Sequence, residues 1–356
     1  MRKIILITFL LPFLLYGVYS ALVRFVPSEK NSAGIDYSVS ETTLQVGQGA
    51  SQNTIVYEPE KTTDSIIVMS DEGLDPVWNT SGVSVRIGDR IARYLAGGGH
   101  RVFLLNNSGR LSADTGAMDA TARLARSKGG NVFFFGHGIG CAAALKAGVS
   151  GSNGIVLAGC AFPGTLLDHY GEQLIFNMER TTAHAQSISR ARAEFHDFSV
   201  ALRSGGAAKT VAPGTQFSLN RDEIDIQAFR EALTTLAGRS EDLKEADGFR
   251  MTSLVKQAVA KKIPVLIVLG YFDEEVGGGE IEQTKKILSP ASGHLTGYSF
   301  IEIPGANHFY QEREGRASGE IEVMLNRRNP FIPVSGAFLK TLEDFLSGGL
   351  SRKPGV

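Results

Sequence analysis

This chain of 356 residues has only two cysteines and a net charge close to zero, and each of these features argues against a class of protein. Two cysteines are too few for a disulfide-stapled scaffold or a four-cysteine zinc site. Lys and Arg number 36 against 37 Asp and Glu, and this net charge of -1 argues against nucleic acid as the main partner, because a phosphate-binding surface needs excess positive charge. The hydrophobic share of 43% and the charged share of 21% are those of an ordinary soluble protein, which argues against a disordered chain and a polytopic membrane protein. Glycine, in contrast, is abundant at 41 residues, as in folds with many tight strand-to-helix turns.

The N-terminal segment, residues 1–26, differs from the rest of the chain. Arg2 and Lys3 precede an uncharged apolar run over residues 4–23. Such a run is long enough to cross a bilayer as a helix, and a positive start before an apolar core is also typical of a bacterial secretory signal. A signal cleaved before Ala21 and an uncleaved inner-membrane anchor both remain open, and a buried core helix is less favoured. Either of the first two predicts that the remaining chain is periplasmic, secreted or anchored outside the cytoplasm.

Short apolar runs alternate with amphipathic stretches along the rest of the chain. Strands are predicted at residues 43–46, 54–57, 65–69, 101–105, 131–135, 154–158, 263–269 and 298–303. Helices are predicted at residues 83–95, 115–128, 141–147, 280–288 and 337–345. Continuous apolar strands that alternate with helices are typical of a buried parallel sheet. The sequence therefore predicts a doubly wound, mostly parallel α/β sheet.

Residues 165–260 interrupt this alternation. They are polar and largely helical, and they contain no run that must join the sheet as a strand. We therefore expect one α/β domain with a helical insertion. Its expected parts are a tether at 27–42, a core at 43–164, the insertion at 165–260, a second part of the core at 261–348 and a tail at 349–356.

Three glycines follow the apolar strand that ends at Phe135. In the run 136–140, Gly-His-Gly-Ile-Gly, the first and last glycines fill the flanking positions of G-x-S-x-G, the sharp turn that raises a nucleophile above the end of a sheet. Small residues are required at both flanks because strand and helix approach closely there. The central position, where a nucleophilic serine would stand, is Gly138.

At these residues the chain resembles the α/β-hydrolase family. Residues 264–273 resemble the strand and turn that carry the family's acid, here Asp273, and residues 303–309 resemble the loop that carries its histidine, here His308. The order of nucleophile, acid and histidine also matches. Residues 158–164 add a finer resemblance to the secreted bacterial branch related to serine peptidases and esterases. The resemblance implies that the helical insertion is a cap over an active site.

The chain departs from the family at the nucleophile. In an acyl-transfer triad the serine oxygen attacks, the histidine takes its proton and the aspartate orients the histidine. Gly138 has no side chain with which to attack, so this mechanism is impossible there, even with His308 and Asp273 in place. Glu274 or Glu275 could substitute for Asp273 as the acid.

Backbone donors survive such a change. The resemblance implies an oxyanion hole made by the N–H of Ile139 and by one N–H from the turn after the third strand, at Glu72. His137 precedes the central position and is expected to pack sideways. Cys141 points away from the elbow's direction, and a Cys141–Cys160 disulfide is permitted outside the cytoplasm but not favoured.

No metal or cofactor is expected. The glycine run 277–279 lacks a phosphate-binding pattern. The histidines of the insertion match no zinc-ligand spacing, and surface or packing roles are favoured for them: His169, His184 and His196.

Two functions follow from these observations. The first is an extracytoplasmic α/β-hydrolase-like protein that has lost acyl transfer and binds a small molecule, a lipid, a peptide or a protein partner. The second is an active esterase, thioesterase or peptidase that uses a displaced nucleophile or an activated water. The sequence is equally compatible with a natural glycine at position 138 and with an engineered Ser→Gly change.

Overall fold

The structure is a computed structural model, and it describes residues 29–46, 50–71, 87–105, 111–127, 129–180, 185–204, 221–237, 240–273, 275–288, 297–313 and 332–348. The predicted leader at 1–26, the predicted oxyanion residue Glu72 and the alternative acid Glu274 lie outside these residues. Within them, no helix is both long enough and apolar enough to span a bilayer.

The described strands form a single sheet of eight. They are β1 Tyr37–Val46, β2 Ala50–Pro59, β3 Ser65–Ser70, β4 Arg101–Leu105, β5 Asn131–His137, β6 Gly154–Ala158, β7 Val265–Gly270 and β8 Tyr298–Ile303. Their order across the sheet is β1-β2-β4-β3-β5-β6-β7-β8. β2 runs antiparallel to both of its neighbours, and every other pair is parallel.

The described helices connect these strands. They are α1 Ile87–Gly97, α2 Leu111–Ser127, α3 Gly140–Gly148, α4 Leu166–Arg180, α5 Ala185–Arg203, α6 Arg221–Ala237, α7 Ser240–Gly248, α8 Met251–Ala260, α9 Gly278–Leu288 and α10 Gly336–Leu346.

Helices cover both faces of the sheet, as β3 illustrates. This strand is buried along its whole length. Ile66 and Val68 point to one face and pack in the same apolar cluster as α2 and α3. Ile67 and Met69 point to the other face and pack with α1 and α10. The period of two along a strand explains this division, and the arrangement confirms the predicted doubly wound, mostly parallel sheet.

The start of the described chain is more ordered than a tether. β1 begins at Tyr37, within the stretch 27–42 that was expected to be a tether. Before it, Glu29 forms an ion pair with Arg90 of α1, and both side chains are buried. Asn31 is also buried and hydrogen-bonded to α10. Polarity alone suggested a solvated segment here, but the polar groups are paired against the core.

The inserted helices end earlier than expected. α4 to α7 pack against one another, whereas α8 lies against α3 and β7. Met251, Val255 and Ala258 of α8 are buried in the core cluster shared with α3. Their spacing of four and three residues gives α8 one apolar face. Its polar face made it resemble the insertion, but α8 covers the sheet.

Cys141 and Cys160 form a disulfide, so the expectation of unpaired cysteines was wrong. β5 and β6 are neighbours in the sheet, with His137 opposite Ala158. The two cysteines follow this pair closely, one at the start of α3 and the other just after β6. Their Cα atoms are 6.6 Å apart, within the range that a disulfide can bridge.

Candidate active site

Gly138 lies at the summit of the turn between β5 and α3. Its φ is 53°, in the left-handed region that glycine enters freely. Its N–H donates to the carbonyl oxygen of Ala158 at 3.0 Å, which ties the turn to the end of β6. The helix starts two residues later, at Gly140. The sharp strand-to-helix bend predicted from the motif is therefore present.

The flanking glycines are required by close approach. A Cβ atom on Gly136 would lie 2.5 Å from the Cα of Cys141, and one on Gly140 would lie 2.3 Å from the carbonyl oxygen of Ser70. Both contacts involve backbone atoms, which cannot move aside without shifting the strand or helix. The two glycines thus allow α3 to start directly against β3 and β5.

His308 and Asp273 are brought together as the resemblance implied. His308 Nδ1 lies 3.0 Å from both carboxylate oxygens of Asp273, and both side chains are buried. Asp273 Oδ1 also accepts the N–H groups of Glu275 and Val276, at 2.8 and 3.0 Å. Burial alone would raise the pKa of Asp273, but His308 and these two donors outweigh it and hold the pKa below its ordinary value.

His137 contacts the backbone of the loop that carries His308. Its Nδ1 lies 2.9 Å from Asp71 Oδ1 at the end of β3, and its Nε2 donates to the backbone carbonyl of His308 at 3.0 Å. The ring is completely buried. Asp71 in turn accepts the N–H of Gly88 at the start of α1. As expected, His137 packs sideways, and its contacts fix the backbone that carries His308.

The loop that carries His308 is shaped by Asn307 and Gly270. Asn307 Oδ1 accepts the N–H groups of Phe309 and Gln311 at 3.0 and 2.9 Å, an arrangement typical of turns at Asn. A Cβ atom on Gly270, the last residue of β7, would lie 2.2 Å from the Asn307 carbonyl oxygen. Gly270 is thus needed for the acid-bearing and histidine-bearing turns to meet.

Gly138 and His308 line the same cavity, which has a volume of about 100 Å³. Its other walls come from α3, α4 and the turns after β6 and β7: Ile139, Ala142, Gly159, Phe162, Leu166, His169, Tyr170, Gln173 and Glu275. A larger groove of about 680 Å³ lies next to it between α4, α5 and α9, and His169 lines both. Among the other groove-lining side chains, four are carboxylates, Asp168, Glu172, Glu179 and Glu280, and one is the cationic Arg192.

Glu275 takes a position that sequence reasoning did not foresee. It was an alternative to Asp273 as the acid on the histidine, yet it faces the opposite ring nitrogen. Its Oε2 lies 3.6 Å from His308 Nε2 and accepts a hydrogen bond from Gln173 at 3.2 Å. Only 7% of its side chain is exposed. His308 therefore has a carboxylate on each side.

Ile139 is the expected oxyanion donor that can be located. It lines the cavity beside Gly138 and stands immediately before the first residue of α3. A helix N-terminus directs unpaired N–H groups and a positive dipole end at whatever lies in front of it. The N-terminus of α3, beside Ile139, therefore gives the cavity a polar side.

The geometry excludes two side chains near Gly138 as replacement nucleophiles. Cys141 is bonded to Cys160 and has no thiol. His137 is buried and hydrogen-bonded through both ring nitrogens. Neither side chain can attack a ligand in the cavity.

No family model and no curated protein matches this chain. Similar solved structures include carboxyl esterase 2 from the mycorrhizal fungus Tuber melanosporum, at 14% identity over 94% of this chain and 98% of that chain, with a TM-score of 0.49. Brefeldin A esterase, a bacterial homologue of human hormone sensitive lipase, has 12% identity over 91% and 78% of the two chains and a TM-score of 0.47. The esterase domain of a Rhodothermus marinus protein has 13% identity over 76% and 90%, with a TM-score of 0.43. With TM-scores below 0.5, these likenesses carry no argument about the chemistry of this chain.

Proposed function

We propose that this chain is an extracytoplasmic hydrolase-like protein that binds a small carbonyl-bearing ligand in the elbow cavity and forms no serine acyl-enzyme. The observation that carries the proposal is Gly138 at the summit of the elbow, on the same cavity as His308. A preformed cavity with an imidazole and a helix N-terminus on its wall suits a polar, uncharged carbonyl group.

The size of the cavity limits the ligand. An engineered cavity of about 150 Å³ holds benzene, so a cavity of about 100 Å³ accepts a short acyl or amide end. Ala142, Phe162 and Leu166 give it apolar walls that suit a short alkyl group. The polar groove that shares His169 offers room for the rest of a larger ligand.

Two features support a location outside the cytoplasm. The apolar run over residues 4–23 has the form of an export signal or anchor. The Cys141–Cys160 disulfide is of a kind that persists in oxidising compartments and is rare in the cytosol. On these grounds we propose that the folded part of the chain is periplasmic, secreted or anchored to the cytoplasmic membrane.

Covalent labelling tests the absence of the acyl-enzyme. We expect the wild-type protein not to react with a fluorophosphonate probe, because the elbow offers no hydroxyl. Gly138→Ser introduces a hydroxyl group on the cavity that His308 also lines, and we expect this variant to be labelled and to show a burst with p-nitrophenyl butyrate. Gly138→Ser combined with His308→Ala is the matched control and should lose the labelling. Labelling of the wild type would contradict the proposal.

Binding is tested separately with butyramide, a short amide that carries the required carbonyl group. Isothermal titration calorimetry of the wild type should give a saturable signal. Ala142→Leu adds bulk inside the cavity and should abolish that signal, whereas Ala337→Leu, at an exposed position of α10, should retain it. Equal titrations for all three proteins, or no signal from the wild type, would argue against ligand binding at this site.

A further inference from the structure

Glu275 puts a buried carboxylate beside His308 on the side where the elbow lacks its nucleophile. The carboxylate oxygen is 3.6 Å from His308 Nε2, which is longer than a hydrogen bond. Gln173 holds it there through its side-chain amide. The three groups line the cavity together with Gly138.

The tautomer of His308 follows from its other partner. Asp273 Oδ1 already accepts two backbone N–H groups, and the lowered pKa keeps this carboxyl ionised and acceptor-only. His308 Nδ1 therefore carries the hydrogen that points to Asp273. In the neutral ring the lone pair is then on Nε2, the nitrogen that faces Glu275 and the cavity.

We propose that Glu275 orients, and His308 deprotonates, one water molecule in the cavity beside Gly138, so that a bound ester is hydrolysed slowly without a covalent intermediate. A water oxygen about 2.8 Å from each acceptor would donate one hydrogen to Nε2 and the other to the carboxylate. Its lone pairs remain free for attack. The proposal rests on the binding function above and adds a reaction to it.

The reaction balances with water as the only co-reactant. The water oxygen forms a bond to the ester carbonyl carbon, and its proton passes to His308 Nε2 while the carbonyl π electrons move onto oxygen. The N–H of Ile139, at the N-terminus of α3, would stabilise that developing negative charge. Collapse of the tetrahedral intermediate breaks the bond to the alcohol oxygen, which takes the proton from Nε2. The products are a carboxylic acid and an alcohol, and His308 and Glu275 return to their starting states.

Glu275→Gln tests the proposal because it keeps the size of the side chain and removes its charge. With p-nitrophenyl acetate, wild-type turnover should be slow and free of a burst. The variant should lower kcat about 10²-fold with little change in KM, because general-base catalysis contributes about 10²- to 10⁴-fold and His308 can act as the base only on a water that Glu275 holds in place. The pH profile of kcat/KM should also lose one ionisation in this variant, whereas substitution of a purely structural residue would leave the profile unchanged. Glu282→Gln, on the exposed face of α9, is the matched control and should leave turnover unchanged.

Hydrolysis in ¹⁸O-water distinguishes water attack from direct attack by the carboxylate. A single turnover should leave the label in acetate and none in the peptide that contains Glu275. Label in Glu275, a burst, or unchanged kcat in Glu275→Gln would each overturn the proposal. If Glu275→Gln does not fold, two other measurements replace it: the turnover of Glu275→Asp and the solvent deuterium isotope effect of the wild type. Full activity of Glu275→Asp, or the absence of an isotope effect in the wild type, would also overturn the proposal.

The binding function can survive the failure of this reaction. Wild-type protein that titrates with butyramide but hydrolyses p-nitrophenyl acetate no faster than buffer would overturn water activation alone. Protein that neither titrates nor hydrolyses would overturn both. Turnover that is lost in Glu275→Gln while butyramide still binds supports both.

Discussion

At Gly138 the backbone reaches a φ of 53° without a side chain. For an L-residue this left-handed conformation is unfavourable by about 1–2 kcal/mol, whereas glycine adopts it freely. An elbow with glycine at its summit is therefore the less strained form of the turn. In the proposed function, a glycine here leaves the cavity, the imidazole and the helix N-terminus available for binding and provides no group for covalent attack.

Asp273 gives the fold a dependence on acid. Its pKa lies below its ordinary value in the folded protein, because His308 and two N–H donors outweigh burial. A carboxyl of this kind stabilises the fold above its unfolded pKa of about 4, and the contribution is lost as the pH falls through the folded pKa. We expect the free energy of unfolding to decrease more steeply below about pH 4 in the wild type than in Asp273→Asn.

Urea denaturation at a series of pH values from about 7 down to about 3 measures this slope. Asp344→Asn is a suitable control because it removes only a surface ion pair with Lys340. Its slope should match that of the wild type. An Asp273→Asn slope equal to both would show that the buried carboxyl does not couple folding to protonation.

Sequence reasoning located His308 and Asp273 because each follows an apolar strand in a short recognisable motif. It could not locate Glu275 on the other side of the ring. The direction of that side chain depends on the turn in which Asp273 Oδ1 accepts the Glu275 and Val276 N–H groups. Such a turn is a product of the tertiary pairing with His308, and no periodicity reports it.

At the scale of elements, the strands were the most predictable part of the fold. Buried parallel strands are continuous apolar runs, and β5, β6, β7 and β8 were all expected close to where they lie. The predicted boundaries of two elements were wrong because their polar residues suggested solvent-exposed segments. β1 starts early because an exposed edge hairpin has no continuous apolar run, and α8 was assigned to the insertion because only one of its faces is apolar.

The disulfide joins two elements that both line the cavity. Cys141 belongs to the start of α3, beside Ile139, and Cys160 lies between Gly159 and Phe162 after β6. It closes a loop with a sequence separation of 19 residues, for which loop-closure entropy predicts about 3 kcal/mol of stabilisation. We expect the free energy of unfolding of the Cys141→Ala/Cys160→Ala protein to be lower by about 3 kcal/mol, so that it unfolds at a lower urea concentration.

Chemical denaturation with and without a reducing agent measures this contribution. Reduction should lower the midpoint of the wild type towards that of the double variant and leave the double variant unaffected. Equal midpoints for oxidised wild type and double variant would mean that the bond constrains the unfolded chain less than its loop length implies.

At the scale of the whole molecule, the site is assembled at one edge of the sheet. Asp71 follows β3, Gly138 follows β5, Asp273 follows β7 and His308 lies shortly after β8, and these parallel strands all end at the same edge. Ligands in open α/β sheets bind outside the carboxyl ends of the strands. His137 and His308, which are 171 positions apart in the sequence, thus meet because the strand order brings their turns together.

The compartment of the protein can be read from its cysteines. In cells that express the full chain, we expect denaturing alkylation after acid quenching to modify neither cysteine, because export allows the disulfide to form. A chain that lacks residues 1–26 stays in the reducing cytosol, and both of its cysteines should be alkylated. The full chain with Cys141→Ala provides the control, since its remaining Cys160 must react if the reagent has access. Intact mass also distinguishes a chain cleaved before Ala21 from one that keeps its anchor.

Alkylation of both cysteines in the full chain would contradict export, because the disulfide beside the cavity forms and persists only in an oxidising compartment.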